Sequence, residues 1–251
     1  MYSPRWFTAS LALCLFCLTC IAQDPTAPPK TGFLDRVYKS ESGESKYVLF
    51  VPHSYDGSKE YPLILFLHGA GESGTDGKKQ VTVGLGPAIK KQEKDFPFIT
   101  IFPQANSKTT VGKRWYANSP DGKQALAILD EVMRTYKVDA KRVYLTGLSM
   151  GGFGTWDIAA TYPDKFAAIA PICGGGDPSK AKALAKLPIW NFHGDADKVV
   201  PVELSREMIA AIKEAGGEPK YDEYPGVGHN SWDEAYANPE LYKWLLSHSR
   251  K

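Results

Sequence analysis

The chain has 251 residues, 43% hydrophobic and 23% charged, with 30 basic against 28 acidic side chains. So ordinary a composition excludes a disordered or fibrous protein, and a formal charge of +2 gives no electrostatic reason to expect nucleic acid or an anionic membrane as partner. The length suits one large α/β domain as well as two small ones, so the motifs must decide.

In chain order, residues 1–22 read as a signal peptide that stands outside the fold. Arg5 supplies a positive n-region, Leu11 to Ile21 a short apolar core, and Cys20 and Ala22 the small residues before a cleavage point at Gln23. The apolar run is too short for a stable membrane span. A lipoprotein anchor is the rival reading, because Cys14, Cys17 and Cys20 lie here; each follows a bulky or branched residue (Leu13, Phe16, Thr19) where lipidation wants Gly or Ala. The expectation is a secreted or periplasmic protein. Residues 23–32, rich in proline, read as a flexible leader, and 33–251 as one domain. Cleavage leaves Cys173 alone, so no internal disulfide is expected, and a domain of this size can bury a core without one.

Apolar runs of strand length then alternate with helical patterns. Lys46 to Val51, Pro62 to Leu67, Phe98 to Phe102, Val143 to Thr146, Phe166 to Ile172, Pro188 to Phe192 and Pro219 to Tyr224 read as strands. Gln124 to Tyr136, Phe153 to Thr161 and Glu203 to Ala215 read as helices, the second ended by Tyr162-Pro163 and the third by Gly216-Gly217. This alternation predicts a mainly parallel sheet covered on both faces, with an antiparallel start near residues 32–52.

Gly147-Leu148-Ser149-Met150-Gly151 follows one such strand and opens onto a helix expected to begin near Gly152. A G-x-S-x-G turn between strand and helix presents its serine hydroxyl at the sheet's edge. A serine hydroxyl barely ionises at neutral pH, so it needs a base to take its proton and an acid to orient that base. Two later strands end in suitable loops. One begins His193-Gly194-Asp195-Ala196-Asp197, and the other carries Gly226-Val227-Gly228-His229-Asn230-Ser231-Trp232. A histidine base must be neutral, so activity should fall below about pH 6 to 7.

These segments, with Leu67-His68-Gly69-Ala70-Gly71-Glu72-Ser73-Gly74 and the H-G-x-x-D-x-x-V-P pattern over His193 to Pro201, resemble the α/β-hydrolase superfamily over nearly everything after residue 45. The chain is most similar to small secreted carboxylesterases related to feruloyl esterases, polyhydroxybutyrate depolymerases and prolyl-oligopeptidase-like hydrolases. The resemblance implies an α/β-hydrolase fold without a large cap domain, and catalytic roles for Ser149 as nucleophile, His229 as base and Asp197 as acid. It leaves Asp195 as a neighbour expected to close an Asx turn. It also implies an oxyanion hole built from the N–H of Met150 and that of Ala70, with Gly71 the alternative. Trp115, Tyr116 and Trp232 are candidates to line the substrate site, a core role being equally open. His68 and His193 should brace loops, and Cys173 should be a small packed residue.

No H-E-x-x-H and no phosphate loop occurs in this sequence, the mature chain has no cysteine pair, and no metal or cofactor is expected. Only Cys173 to Leu187, including a helical run at Ser179 to Lys186, separates two strands where lipases insert a lid, which predicts an open cleft. The implied function is hydrolysis of a small-molecule or polymer-linked ester through an acyl-enzyme, with acetyl or feruloyl esters of polysaccharides in view. A serine peptidase of the prolyl-oligopeptidase type and a non-catalytic secreted binding module are the alternatives. Oligomeric state is left open.

Overall fold

The computed structural model describes residues 29–41 and 43–251. The signal-peptide reading and most of the proposed leader lie outside the described residues. Residues such as Tyr61 to Leu67 and Ile99 to Pro103 are buried at every position, so strands built from them need cover on both faces. Among the described residues the strands are β1 (Gly32–Ser40), β2 (Gly43–Val51), β3 (Tyr61–Leu67), β4 (Ile99–Pro103), β5 (Val138–Leu148), β6 (Ala168–Ile172), β7 (Trp190–Gly194) and β8 (Lys220–Tyr224). They form one sheet in the order β1-β2-β4-β3-β5-β6-β7-β8. β1 and β2 make the expected antiparallel start, β2 runs antiparallel to β4, and every later neighbour is parallel.

The helices that cover the sheet are α1 (Leu85–Lys91), α2 (Pro120–Thr135), α3 (Met150–Thr161), α4 (Ala181–Leu184), α5 (Glu203–Glu214), α6 (Trp232–Ala237) and α7 (Pro239–Leu246). Strand alternation divides the core between them. Leu63, Leu65 and Leu67 face a cluster with Ile128 and Val132 of α2, Trp156 of α3 and Ile212 of α5. Ile64 and Phe66 face the other, with Leu85 and Ile89 of α1, Tyr236 of α6 and Leu241 and Leu245 of α7. Each large side chain so buried stabilises the fold by roughly 1.5–3 kcal/mol.

The expected helices at α2, α3 and α5 are present. α2 starts four residues earlier than its periodicity suggests, because Pro120 occupies its first turn and the Ser119 hydroxyl accepts from the Gly122 N–H. Helices α1, α6 and α7 are additions to the sequence reading. α1 is a short segment broken in pattern by Gly86 and Pro87, and α6 and α7 are separated only by Asn238, which caps α7. The sheet's parallel strands all end on one edge, and the loops leaving β3, β5, β7 and β8 carry the candidate site residues.

Candidate active site

Leu148 ends β5 and Met150 opens α3, so Ser149 alone makes the turn, at φ 53° and ψ −116°. Such a conformation is costly for a residue with a Cβ and persists only where the surroundings enforce it. Here the enforcement is close packing. A Cβ on Gly151 would overlap the carbonyl oxygen of Leu67 at the end of β3, and only glycine lets α3 begin against that strand. The Ser149 N–H donates to the Ile172 carbonyl at 2.9 Å, tying the turn to β6. Ser149 occupies the N-cap position of α3, yet its hydroxyl makes no capping bond.

That hydroxyl instead lies 2.9 Å from Nε2 of His229, and Nδ1 of His229 lies 2.7 Å from Oδ2 of Asp197. An ionised carboxylate only accepts, so Nδ1 carries the hydrogen and Nε2 is free to accept from Ser149. Asp197 is held by more than its histidine: Oδ1 accepts from the N–H groups of Val199 at 2.8 Å and Val200 at 2.9 Å. Its side chain is fully buried, whereas that of His229 is 21% exposed. Burial opposes ionisation of the Asp197 carboxyl. The hydrogen bonds from His229, Val200 and Val199 outweigh it and hold the group below the usual carboxylate range. A hydroxyl in contact with an imidazole whose far nitrogen is fixed on a carboxylate can be relieved of its proton as it attacks an electrophile.

The two loops that meet here pass very close together. A Cβ on Gly194 would collide with the carbonyl oxygens of Val227 and Gly228, so the glycine after His193 lets the acid and histidine loops touch. Asp195, expected to close an Asx turn, does something else: its Oδ1 accepts from the Gly226 N–H at 2.6 Å and clasps the histidine loop. The contact to a backbone N–H two residues on belongs to Asp197.

On the other side of Ser149 lies the loop after β3. Gly69 is buried beside Leu148 and Ser149. Ala70 and Gly71 are exposed, and Met150 is buried at the start of α3. The loop is fixed from below. His68 is buried, its Nδ1 donates to the Gly69 carbonyl at 2.6 Å and its Nε2 accepts from the Ala105 N–H at 3.0 Å. Burial pushes His68 down to about 4, so it stays neutral and serves as a brace, as its glycine-turn position suggested. Gln104, which the sequence reading passed over, ties the loop's far side. Its Oε1 accepts from Gly77 N–H at 2.7 Å and its Nε2 donates to the Glu72 carbonyl at 3.0 Å. Nothing in its sequence setting marks Gln104, because both partners come from a loop about 30 residues away.

The aromatic candidates separate. Trp115 is wholly buried, donates its indole N–H to the His68 carbonyl at 3.0 Å and packs edge-on against the His68 ring. It has no surface to offer a substrate, which corrects the expectation that it lines the site; it holds the loop that carries Ala70. Trp232 is partly exposed and meets the His229 ring edge-on, at 5.2 Å between centroids. Cys173 is buried behind the site at φ 40°, with a ligand atom within 4.8 Å of those of Asp197 and His229. Burial pushes its thiol up to about 12, and a protonated thiol beside two groups already hydrogen-bonded to each other fits packing rather than metal ligation.

Comparison with known proteins adds the chemistry these elements serve elsewhere. A family model described as "Putative esterase" matches residues 40–215. Among curated relatives, a bifunctional acetylxylan esterase/xylanase of Neocallimastix patriciarum is 28% identical over 165 residues, covering 65% of this chain and 23% of the relative. A probable feruloyl esterase C of Aspergillus terreus is 28% identical over 173 residues, covering 68% of this chain and 62% of the relative. This chain thus spans less than two thirds of either. The crystal structure of a thermostable esterase superposes with a TM-score of 0.79 at 36% identity, over 87% of this chain and 63% of that one.

Proposed function

Since the chain belongs to the esterase family of α/β-hydrolases, we propose that it is a carboxylic ester hydrolase that works through an acyl-enzyme on Ser149, with His229 as base and Asp197 as orienting acid. The observation that carries this reading is the unbroken hydrogen-bonded line from the Ser149 hydroxyl through both nitrogens of His229 to Asp197. Ser149 Oγ attacks the ester carbonyl carbon as its proton passes to His229 Nε2. The tetrahedral intermediate collapses when that proton moves to the leaving alkoxide, releasing the alcohol. Water then attacks the acyl-enzyme, again giving its proton to His229, and Ser149 recovers it as the acid departs. The N–H of Met150, at the mouth of α3, and that of Ala70 or Gly71 would stabilise the oxyanion formed in each half-reaction.

Ser149→Ala should lower kcat/KM on p-nitrophenyl acetate by about 10³-fold or more, with an unchanged melting temperature. It should also abolish labelling by a fluorophosphonate. Normal turnover in that variant would refute the assignment.

The substrate reading is acetyl or feruloyl esters on polysaccharide. It is supported by the named activities of the two relatives and by the short connection between β6 and β7, which holds no inserted domain. Acyl esters graded in length and aromaticity, free and polysaccharide-linked, would rank these possibilities. No helix among the described residues is long and apolar enough to cross a membrane. Export through residues 1–22 is part of the same proposal, and the mature protein recovered from outside the cytoplasm should begin at Gln23.

A further inference from the structure

A second histidine lies on the far side of Asp197. His193, next to last in β7, is fully buried, with Nε2 3.0 Å from the Val200 carbonyl and 3.2 Å from Oδ2 of Asp197, and with Nδ1 2.7 Å from the Ser205 hydroxyl of α5. Both groups facing Nε2 can only accept, so Nε2 must carry the hydrogen; Nδ1 of the neutral ring is then the acceptor and Ser205 the donor. The tautomer is dictated by its neighbours.

We propose that His193 is a positioning residue whose Nε2–H, shared between Val200 and Asp197, is a second imidazole donor to the same carboxylate oxygen that orients His229. The inference rests on the roles proposed for Ser149, His229 and Asp197. Oδ2 of Asp197 then lies between two rings, and Oδ1 is held by two backbone N–H groups. The carboxylate cannot rotate without breaking one of the four contacts, so its Oδ2 stays aimed at His229. Each donor also draws off part of the negative charge that would otherwise stabilise an imidazolium at His229.

The charged and titratable groups around this unit are few. Asp197 and His229 are its direct partners, Cys173 lies behind them, and Glu223 is the register neighbour of His193 on β8. Glu223 is itself engaged by Arg206 of α5 and by the Tyr221 hydroxyl. Burial lowers the proton affinity of His193, which keeps the ring neutral while His229 changes charge in turnover.

The test has two arms. In ¹⁵N-histidine-labelled wild-type enzyme, the His193 signals should show the neutral Nε2–H tautomer throughout pH 5–8; an Nδ1–H tautomer or an imidazolium in that range would overturn the proposal. In the second arm, His193→Phe should move the acid limb of kcat/KM upward by about half to one pH unit and lower kcat. His193→Gln, which returns an N–H to the same place, should bring the limb back toward wild type. A folded His193→Phe variant that loses rate with its acid limb unmoved would reduce His193 to a packing residue and sink the idea. Where His193→Phe does not fold, the tautomer and the His193→Gln profile decide. The tautomer is read without turnover, so failure of the Ser149 assignment would show in Ser149→Ala, and failure of this inference in the ¹⁵N spectrum.

Discussion

Asp197 receives N–H groups from Val199, Val200, His229 and His193, and no water reaches its side chain. Asp197→Asn keeps the shape but puts an amide where an acceptor is required, so His229 would turn to the wrong tautomer. We expect kcat on short esters to fall by about 10³–10⁴-fold with KM little changed, measured by steady-state kinetics. The same group shapes acid stability. Its folded pKa is depressed, so its contribution is fully present above the ordinary carboxylate value near 3.9 and is lost as pH falls through the lower folded value. Thermal melts of wild type against Asp197→Asn should therefore converge as pH drops below about 4. Trp115 offers a separate test of position over contact. Trp115→Phe removes the donor to the buried His68 carbonyl and should cost about 1–3 kcal/mol in denaturant unfolding, with kcat lowered through the loosened Ala70 loop.

At the scale of the element, glycines set how closely strands and loops can approach. Gly151→Ala would push α3 off the end of β3 and Gly194→Ala would part the acid and histidine loops. The first should destabilise by about 2–4 kcal/mol, since the Leu67 backbone is paired with Gly147 of β5 and cannot give way without disturbing the sheet. Gly194→Ala should lose activity out of proportion to its loss of stability, because its collision lies in the loops and not in the core. Paired urea titrations and esterase assays would separate the two. By contrast, the exposed Arg206 joins α5 to β8 through a two-pronged contact with Glu223. Arg206→Ala should change stability little, because water already screens much of that attraction.

The candidate site lies on one rim of the sheet, beside a short connection. Residues 173–189, with only a turn and α4, join β6 to β7. With no domain folded over Ser149 from that connection, hydrolysis of a soluble ester should rise smoothly through its micellar concentration. A sharp jump in rate at that point, followed in a pH-stat, would show that some other segment closes the cleft. The partly exposed His229 and the fully buried Asp197 also mean that solvent meets the proposed base but not the proposed acid that steers it.

The order of amino acids made legible the strand and helix alternation, the turn at Ser149 and the loops that deliver Asp197 and His229. These are local signals: apolar runs need two-sided cover, and tight turns need glycine at fixed offsets. It did not reveal α1, α6 and α7, whose short or interrupted patterns acquire helical form only against the Phe66 and Tyr144 face of the sheet. Tertiary structure alone decided that Trp115 braces a loop, that Asp195 clasps Gly226, that Gln104 cinches the loop after β3 and that His193 touches Asp197. Each is a hydrogen bond between segments set by chain packing, and whether a polar side chain is spent on a distant backbone or offered to a substrate depends on which segment arrives beside it.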